Sequence, residues 1–367
     1  MRLAHLHIRR LIPYSHSLTL QNAILERHFT YKDAVRGLND APPPGENVAC
    51  RATGDGGVST SPSAKASSSP ASMSAPLPRT ASASRNAHAY KDSVPQSSNS
   101  VSIPSFSSTL PPPDPTLLTF STDPTYTVGR RHLLANPISQ SQQNFLTADG
   151  LATFHASPRG GLLTYHAPGQ LTGYLIADLR RHGITARCWV KMLEDSVMRT
   201  CGHWDVQTMR TDDPGVWIRN ERELDGQDPQ ADESPVDRKI CAIGVQVSRG
   251  VTSHGVGLNV FDAAFPQFVK DGYGFTPEQI RSPSYDPRSE GYLSWGFSRI
   301  VACGLEGKSV TWFAREGPED SPQPPALEDV ADVLAREVMR GFNDMKGPQK
   351  EAVKGVYRIE ESDILAS

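Results

Sequence analysis

A serine-rich stretch between residues 37 and 113 constrains the fold more than any other feature of this 367-residue chain. Within 51–110, 18 of 60 residues are Ser, and Ala and Pro fill much of the rest. Apolar side chains are too sparse there to offset the entropy lost when a backbone is ordered. We therefore expect 37–113 to be a disordered insertion, so that any core combines residues 1–36 with 114–346. Residues 347–367 are then expected to form a C-terminal tail.

The first 25 residues admit two interpretations. They contain three arginines and no acidic residue before Glu26, which resembles a mitochondrial presequence. The arginines are Arg2, Arg9 and Arg10. The same region also has apolar residues at helical spacing, which indicates a helix that belongs to the fold. These are Leu18, Leu20, Ile24, Leu25 and Phe29. Both interpretations stay open and both can hold together.

The composition argues against several classes of function. The net charge of −3 gives no basic footprint for nucleic acid. No apolar run reaches the roughly 18 residues that a membrane span needs. The cysteines are odd in number, widely spaced and without a CxxC pair, which fits neither a disulfide framework nor a zinc site. They are Cys50, Cys188, Cys201, Cys241 and Cys303. We expect no metal, a reducing compartment, and no nucleic-acid or membrane partner.

Several segments alternate like β-strands. "LLTFSTDPTYTVGRRH" alternates, breaks at Asp123-Pro124 and resumes, while "LTGYLIADL" and "PGVWI" each indicate another strand. "KICAIGVQVSRGVTSHGVGLNV" (239–260) predicts a hairpin that turns at Ser248-Arg249-Gly250. These strands are the expected framework of a sheet.

Two segments have helical spacing instead. One follows Thr185, a candidate N-cap, and the other ends the apolar part of the chain. Their apolar faces consist of Val190, Leu193, Val197, Cys201 and Trp204, and of Leu327, Val330, Leu334, Val338 and Phe342. Residues 221–235 and 266–292 lack such patterns and are expected to be inserted loops. Strands and helices mix without a βαβ rhythm, so the predicted class is α+β, a mixed sheet with flanking helices.

Cys303 is the candidate nucleophile. It precedes Gly304 after the apolar "RIVA", where we expect a strand to end and the backbone to turn. A thiol has an ordinary pKa of about 8.5 and needs a cationic or basic partner to react at neutral pH. Lys239 at the start of the hairpin is one candidate, and His166 and His254, both next to small residues, are others. A solvated lysine and structural histidines are the alternative interpretations.

The stretch "RGGLLTYHAPGQ" (159–170) is unusually dense in glycine beside reactive residues. Gly160, Gly161 and Gly169 allow the backbone to approach a ligand closely, or serve as plain turn residues. The absence of GxxxxGK and GxGxxG motifs argues against a standard nucleotide cradle.

Five stretches, taken in order, resemble the lipoyl(octanoyl) transferase family of lipoate biosynthesis. "RGGLLTYHAPGQL" is similar to the family's RGG-x-x-TYHGPGQ, and "KICAIGVQVSRGVTSHGVGLNV" to its K-I-A-x-x-G followed by HG-x-x-LN-V. "RIVACGLEG" resembles I-x-P-C-G, and "PTYTVGRR" and "DPGVWI" match two weaker signatures. The resemblance covers roughly 1–35 and 115–345 and implies the fold of biotin and lipoate protein ligases, with 114–346 as the catalytic domain.

The resemblance also implies an activity and its residues. The family moves an octanoyl group from acyl carrier protein to a lysine of lipoyl-dependent carrier domains, such as those of 2-oxoacid dehydrogenase complexes and the glycine cleavage carrier protein. It needs no cofactor, and we expect a mitochondrial monomer. Cys303 carries over as the acyl-thioester nucleophile and Lys239 as the residue that lowers the thiol pKa. The substrate pocket carries over to Arg159, Gly160, Gly161, Leu162, Leu163, Thr164, Tyr165, His166, Ala242, Ile243, Gly244, Gly255, Val256 and Gly257.

Three positions depart from the family pattern. Ala167 replaces a Gly, Ala302 replaces a Pro, and Trp312 stands where the family has Ser. The alternatives are an ATP-dependent lipoate or biotin protein ligase and an inactive homologue that only binds carrier domains. The pairing of Cys303 with Lys239 argues against the ligase, which uses no cysteine nucleophile.

Overall fold

The computed structural model describes residues 1–40, 111–219, 237–267, 275–281, 290–301, 308–318, 323–345 and 351–366. Residues 1–39 and 110–367 form one compact unit. No helix in these ranges is long and apolar enough to cross a membrane.

A large mixed sheet is the centre of that unit. Its strands are β1 (Leu3–Ile12), β2 (Thr116–Thr122), β6 (Gln170–Ile176), β7 (Val216–Ile218), β8 (Arg238–Ser248), β9 (Val251–Asn259), β10 (Ser309–Val310) and β11 (Val356–Arg358). They are arranged in the order β10-β8-β9-β6-β2-β1-β11, and β7 pairs with β8. β1 is parallel to both β2 and β11, and β10 is parallel to β8. The pairs β2–β6, β6–β9, β9–β8 and β8–β7 are antiparallel.

A second sheet has three strands in the order β4-β3-β5. They are β3 (Thr125–Gly129), β4 (Thr153–Ser157) and β5 (Thr164–His166). The chain passes from β2 in the large sheet to β3 in the small one at Asp123-Pro124, the break predicted from the sequence. Proline lacks an N–H and cannot continue a strand ladder, so the break follows from its chemistry.

Helices cover both faces of the large sheet. The longer ones are α1 (Tyr14–Asp40), α4 (Ala186–Gly202) and α8 (Leu327–Asp344). The shorter ones are α2 (Arg130–Ala135), α3 (Gln140–Thr147), α5 (Pro277–Ile280), α6 (Tyr292–Phe297), α7 (Phe313–Glu316) and α9 (Glu361–Leu365). α4 and α8 share one apolar core with the sheet, while α1 packs in a separate core with β1, β2 and β6. The prediction of an α+β mixed sheet with flanking helices is confirmed.

Local sequence signals explain several of these elements. The Thr185 side chain accepts a hydrogen bond from the Cys188 N–H at 3.2 Å and caps α4, as predicted. The predicted hairpin of β8 and β9 turns through Arg249 and Gly250, whose φ angles are 53° and 85°. Positive φ at both central residues matches the right-handed twist of the flanking strands.

The N-terminal residues are part of the fold. β1 pairs with β2 and β11, and Leu20 and Ile24 of α1 are buried against the sheet. The interpretation that this region belongs to the fold is therefore confirmed.

The structure corrects the prediction that residues 347–367 form a C-terminal tail. Val356–Arg358 pairs with β1, and Ile364 of α9 is buried in the core beside α1. Three residues are too few to show a strand period, which hid β11 in the sequence.

The predicted insertions fall largely outside the described residues. At the edges of 37–113, α1 continues through Asp40, and the Pro113 carbonyl accepts a hydrogen bond from Arg181 at 2.9 Å. Those edge residues are therefore structured, and 41–110 lies outside the description. So does all of 221–235. Within 266–292, the described part includes α5 and the start of α6.

Candidate active site

A cavity of about 200 Å³ lies against the strands β6, β9 and β8. Its lining consists of Arg159, Gly161, Leu162, Thr164, His166, Thr172, Tyr174, Asp213, Pro214, Lys239, Ala242, Ile243, Gly244, His254, Gly255, Val256 and Gly257. The cavity therefore brings together the "RGGLLTYH" stretch, both strands of the hairpin and the "DPG" segment, which are far apart in sequence.

The floor of the cavity is mostly backbone. On β6, Thr172 is paired with Gly257 of β9 and Tyr174 with Gly255. On β8, Ala242 is paired with the same Gly257, and Gly244 with Gly255. Because paired residues point to the same face of a sheet, one face here carries three glycines and an alanine next to Thr172 and Tyr174. A ligand can therefore lie directly against the sheet.

Gly255 cannot accept a side chain without a shift of the neighbouring backbone, and a side chain on Gly257 would require the end of the Gln170 side chain to move. A Cβ on Gly255 would lie 2.2 Å from the Gly173 carbonyl oxygen of the neighbouring strand. A Cβ on Gly257 would lie 3.0 Å from Oε1 of Gln170. The glycines thus serve both the packing of the strands and the free space of the floor.

Arg159 anchors the glycine-rich loop beside this floor. Its guanidinium donates to the Thr127 carbonyl at 3.0 Å, to the Thr127 hydroxyl at 2.7 Å and to the Gly160 carbonyl at 2.8 Å. The Gly129 N–H donates to the Gly161 carbonyl at 3.1 Å. Because its donors point at the protein's own carbonyls, Arg159 fixes the loop to β3 while its side chain lines the cavity.

His166 is held in one orientation by a polar chain. Its Nδ1–H donates to Oε1 of Gln170 at 2.7 Å, and Nε2 of Gln170 donates to Asn259 Oδ1 at 2.8 Å. Burial, and then the positive charge of Arg159, lowers the pKa of His166 to about 4. The ring is therefore neutral at physiological pH and presents its other nitrogen as an acceptor.

His254 lines the cavity because its backbone is unusual. Val256 and Leu258, at alternate positions of β9, pack into the core beneath α4 and α8. His254 has the same parity but a φ of 59°, and its ring packs edge-on against Tyr174, with centroids 5.0 Å apart, on the opposite face. Burial, followed by the charge of Arg159, lowers its pKa to about 3. A positive φ in a non-glycine residue is uncommon and turns this side chain into the site.

Lys239 lies at the other end of the β8 part of the lining. It is 6% exposed, its Nζ donates to the Pro214 carbonyl at 3.1 Å, and the ammonium lies 4.5 Å from the centre of the Trp217 ring. Gly215, with a φ of 136°, passes beneath it, and a Cβ there would lie 3.2 Å from Lys239 Cε. A hydrogen bond, a ring face and a glycine thus set the place of this ammonium.

The structure places most of the predicted pocket residues at the cavity, with three exceptions. Gly160 and Leu163 belong to the same loop but are not part of the lining. Tyr165 is fully buried, and its ring packs against Tyr126, 4.7 Å away between centroids. Tyr165 therefore does not line the cavity, because alternation on β5 turns it into the aromatic core while Thr164 and His166 face the cavity.

Cys303 lies outside the described residues, as does the departure Ala302. The preceding "RIVA" was expected to be a strand, but its described residues 299–301 do not form one. Residues 298–300 form a turn and bend after α6, in which the Ile300 N–H donates to the Phe297 carbonyl at 3.3 Å. The apolar character of the run misled the prediction, since Val301 is 54% exposed.

The other two departures from the family pattern are buried. Ala167 is fully buried, and its carbonyl accepts a hydrogen bond from the Ser121 hydroxyl at 3.3 Å. Trp312 lies in the aromatic core with Trp295. Neither residue lines the cavity.

Four lining residues were not predicted as site residues: Thr172, Tyr174, Asp213 and Pro214. The polar residues of "QLTGYLI" recur every second position, a signal that β6 turns Gln170, Thr172 and Tyr174 to one face. Pro214 belongs to the quoted "DPGVWI" signature, but only the fold shows that its carbonyl meets Lys239. Within the described ranges, no group of three or more His, Cys, Asp or Glu residues is arranged to hold a metal ion.

Comparison with known proteins identifies the family. The model of the lipoyl protein ligase A/B catalytic domain matches residues 106–269. An octanoyltransferase of Chloroflexus aurantiacus is 36% identical over 233 residues, which cover 62% of this chain and 79% of that protein. A mitochondrial octanoyl-acyl-carrier-protein:protein N-octanoyltransferase of Danio rerio is 30% identical over 222 residues, 60% of this chain and 76% of the relative. The chain belongs to the octanoyltransferase family.

The family predicted from the five motifs is thus confirmed, and with it the class of enzyme, an acyltransferase. Among solved structures, a bipartite lipoate protein ligase of Thermoplasma acidophilum is similar with a TM-score of 0.39 and 10% identity, covering 69% of this chain and 78% of that one.

Proposed function

We propose that this octanoyltransferase moves an octanoyl group from octanoyl-acyl carrier protein to a lysine of lipoyl-dependent carrier domains, through an acyl thioester on Cys303. The acceptors are the lipoyl domains of 2-oxoacid dehydrogenase complexes and the glycine cleavage carrier protein. The observation that carries the proposal is the glycine-floored cavity with Lys239 in its lining. An acyl chain can lie along such a floor while its reactive end meets a charged group.

The described residues that follow Cys303 in the sequence lie next to Lys239. Ser309 and Val310 of β10 are paired with Arg238 and Lys239 of β8. The Lys308 ammonium lies 4.7 Å from the centre of the Trp217 ring, which Lys239 also contacts. Cys303 precedes Lys308 by five residues, so the chain allows their Cα atoms to be at most about 18 Å apart. The position of Lys308 and β10 beside Lys239 supports the pairing of Cys303 with Lys239.

The proposed reaction has two steps. The Cys303 thiolate attacks the carbonyl carbon of the octanoyl thioester, a tetrahedral oxyanion forms, and the carrier protein's thiol leaves with a proton. The amine of the acceptor lysine then attacks the new thioester, loses a proton, and releases the Cys303 thiol with the octanoyl amide formed. Donors held in place stabilise both oxyanions. Lys239 favours the thiolate by its positive charge and is within the lining to accept or return a proton.

The neutral histidines fit this chemistry as binding groups. His166 and His254 are held uncharged by burial, so they add polar contacts without a charge in the acyl pocket. Arg159 keeps the glycine-rich loop close to the floor. No step needs a nucleotide, because the acyl group arrives as a thioester.

A transfer assay without ATP tests the proposal. Octanoyl-acyl carrier protein and an unmodified lipoyl domain are incubated with the enzyme, and the octanoyl mass increment on the lipoyl domain is measured. Transfer without ATP supports the proposal. An absolute requirement for ATP would favour a ligase, and binding without transfer would favour an inactive carrier-binding homologue.

We further propose that the protein acts in mitochondria as a monomer. The Danio rerio relative is named as mitochondrial, and the arginine-containing N-terminus resembles a presequence. Fractionation of cells that express the native chain tests the location, and light scattering on the purified enzyme tests the monomer.

A further inference from the structure

A buried carboxylate, Glu194, lies beneath the segment that holds Lys239. Glu194 is on α4, on the side that packs against the sheet, and is 8% exposed. One carboxylate oxygen accepts the Gly215 N–H at 3.1 Å, and the other accepts Nε of Arg210 at 3.1 Å. A buried charge is costly unless it is paired and hydrogen-bonded, and these two donors satisfy Glu194. It does not line the cavity.

One peptide group connects this carboxylate to the lysine. The N–H that Glu194 accepts and the carbonyl that Lys239 contacts both belong to the peptide between Pro214 and Gly215. A trans peptide is planar, with its N–H and C=O pointing in opposite directions. The negative carboxylate lies at the N–H end and the positive ammonium at the C=O end. Both charges therefore favour the same orientation of the peptide dipole.

The surrounding structure leaves this peptide little freedom. Gly215 has a φ of 136°, which side chains rarely allow, and a Cβ would lie 2.7 Å from the Cys241 carbonyl oxygen. Trp217, two residues on, donates its ring N–H to the Asp213 carbonyl at 3.1 Å. Glu194 supplies the acceptor for the N–H of this peptide.

We propose that Glu194 is a positioning residue for Lys239. It orients the Pro214–Gly215 peptide so that the Pro214 carbonyl holds the ammonium at the edge of the cavity. The catalytic consequence rests on the proposed function of Lys239, whereas the positioning itself does not.

Chemical labelling tests the positioning directly. Lys239 is acetylated with limiting acetic anhydride, and its labelling is measured by mass spectrometry against the other lysines. In Glu194→Leu, which has no acceptor for the Gly215 N–H, Lys239 should be labelled about fivefold faster, because a lost hydrogen bond releases the peptide. Glu194→Gln keeps a weaker acceptor and should fall between this variant and the wild type.

Asp195→Asn is the matched control. Asp195 also pairs with Arg210 but does not contact Gly215. Its replacement should leave Lys239 labelling unchanged. If Glu194→Leu does not fold, the comparison of Glu194→Gln with Asp195→Asn still tests the positioning, since each variant removes one negative charge that pairs with Arg210. Equal Lys239 labelling in the Glu194 variants and the control would overturn the inference.

A double-mutant cycle tests the consequence for the thiol. Alkylation of Cys303 by iodoacetamide at neutral pH is measurable in every variant. Glu194→Leu should slow this alkylation about threefold or more in the native background. It should leave the rate unchanged in Lys239→Met, because Glu194 affects the thiol only through Lys239. An equal slowing in both backgrounds would show a general structural effect and contradict positioning. If Lys239→Met itself alkylates at the wild-type rate, the proposed role of Lys239 fails, while the labelling result still decides the positioning.

Discussion

Replacement of His254 by Asn should change the pH dependence of stability by a predictable amount. Burial holds the pKa of His254 near 3 in the folded protein, against about 6.5 in an unfolded chain. Above pH 6.5 the residue is neutral in both states and has no effect. As pH falls below 6.5, the unfolded chain binds a proton that the folded protein does not. The free energy of unfolding therefore falls by about 1.4 kcal/mol per pH unit on account of this residue.

The decrease in the free energy of unfolding reaches about 2 kcal/mol at pH 5. This is a large part of the total of about 5–15 kcal/mol that is typical of a domain. His254→Asn removes the titrating group, and Asn tolerates the positive φ better than most residues. The variant should therefore lose about 2 kcal/mol less than the wild type between pH 7 and pH 5. Urea denaturation at both pH values measures this difference.

His5 supplies a matched control outside the cavity. Burial also holds its pKa near 3, and its Nε2 hydrogen-bonds to the Thr119 hydroxyl at 2.8 Å. His5→Asn should flatten the pH dependence in the same way but leave octanoyl transfer unchanged. An unaltered pH dependence in His254→Asn would show that the ring is already protonated or exposed in the folded enzyme, and would contradict a pKa lowered by burial.

Three further predictions follow from the geometry. Lys239→Met should slow alkylation of the reactive thiol at neutral pH, and the gap should close above about pH 9, where a thiol ionises without help; equal rates throughout would exclude activation. Gly255→Ala places a Cβ 2.2 Å from the Gly173 oxygen and should lower both transfer and the thermal midpoint, whereas an unchanged midpoint would show that the floor yields. Deletion of 41–110 with a short Gly/Ser bridge should leave the midpoint nearly unchanged because the segment has too few apolar residues for a core, and a drop of many degrees would contradict this.

Local signals in the sequence predicted much of the fold. The turn at Arg249-Gly250, the cap at Thr185 and the break at Asp123-Pro124 each depend on the chemistry of a few adjacent residues. The resemblance to the family also predicted Gly255 and Gly257 as pocket residues, and the structure places both in the floor of the cavity. Such features depend little on the rest of the chain.

Long-range strand pairings and local reversals of side-chain alternation could not be predicted from the sequence. β11 becomes a strand only because β1, some 350 residues earlier, offers it an edge. His254 leaves the alternation of β9 through one positive φ, an angle that the sequence would assign to the adjacent Gly255 rather than to a histidine. The contact of the Pro214 carbonyl with Lys239 joins two segments whose proximity depends on the pairing of β7 with β8.

The acyl-enzyme is tested most directly by the mass of the full-length enzyme after incubation with octanoyl-acyl carrier protein in the absence of ATP. We expect one octanoyl increment, on the peptide that contains Cys303, which disappears when an acceptor lipoyl domain is added and never forms in Cys303→Ala. No increment, or an increment on the buried Cys201 or Cys241, would contradict the proposed acyl-enzyme.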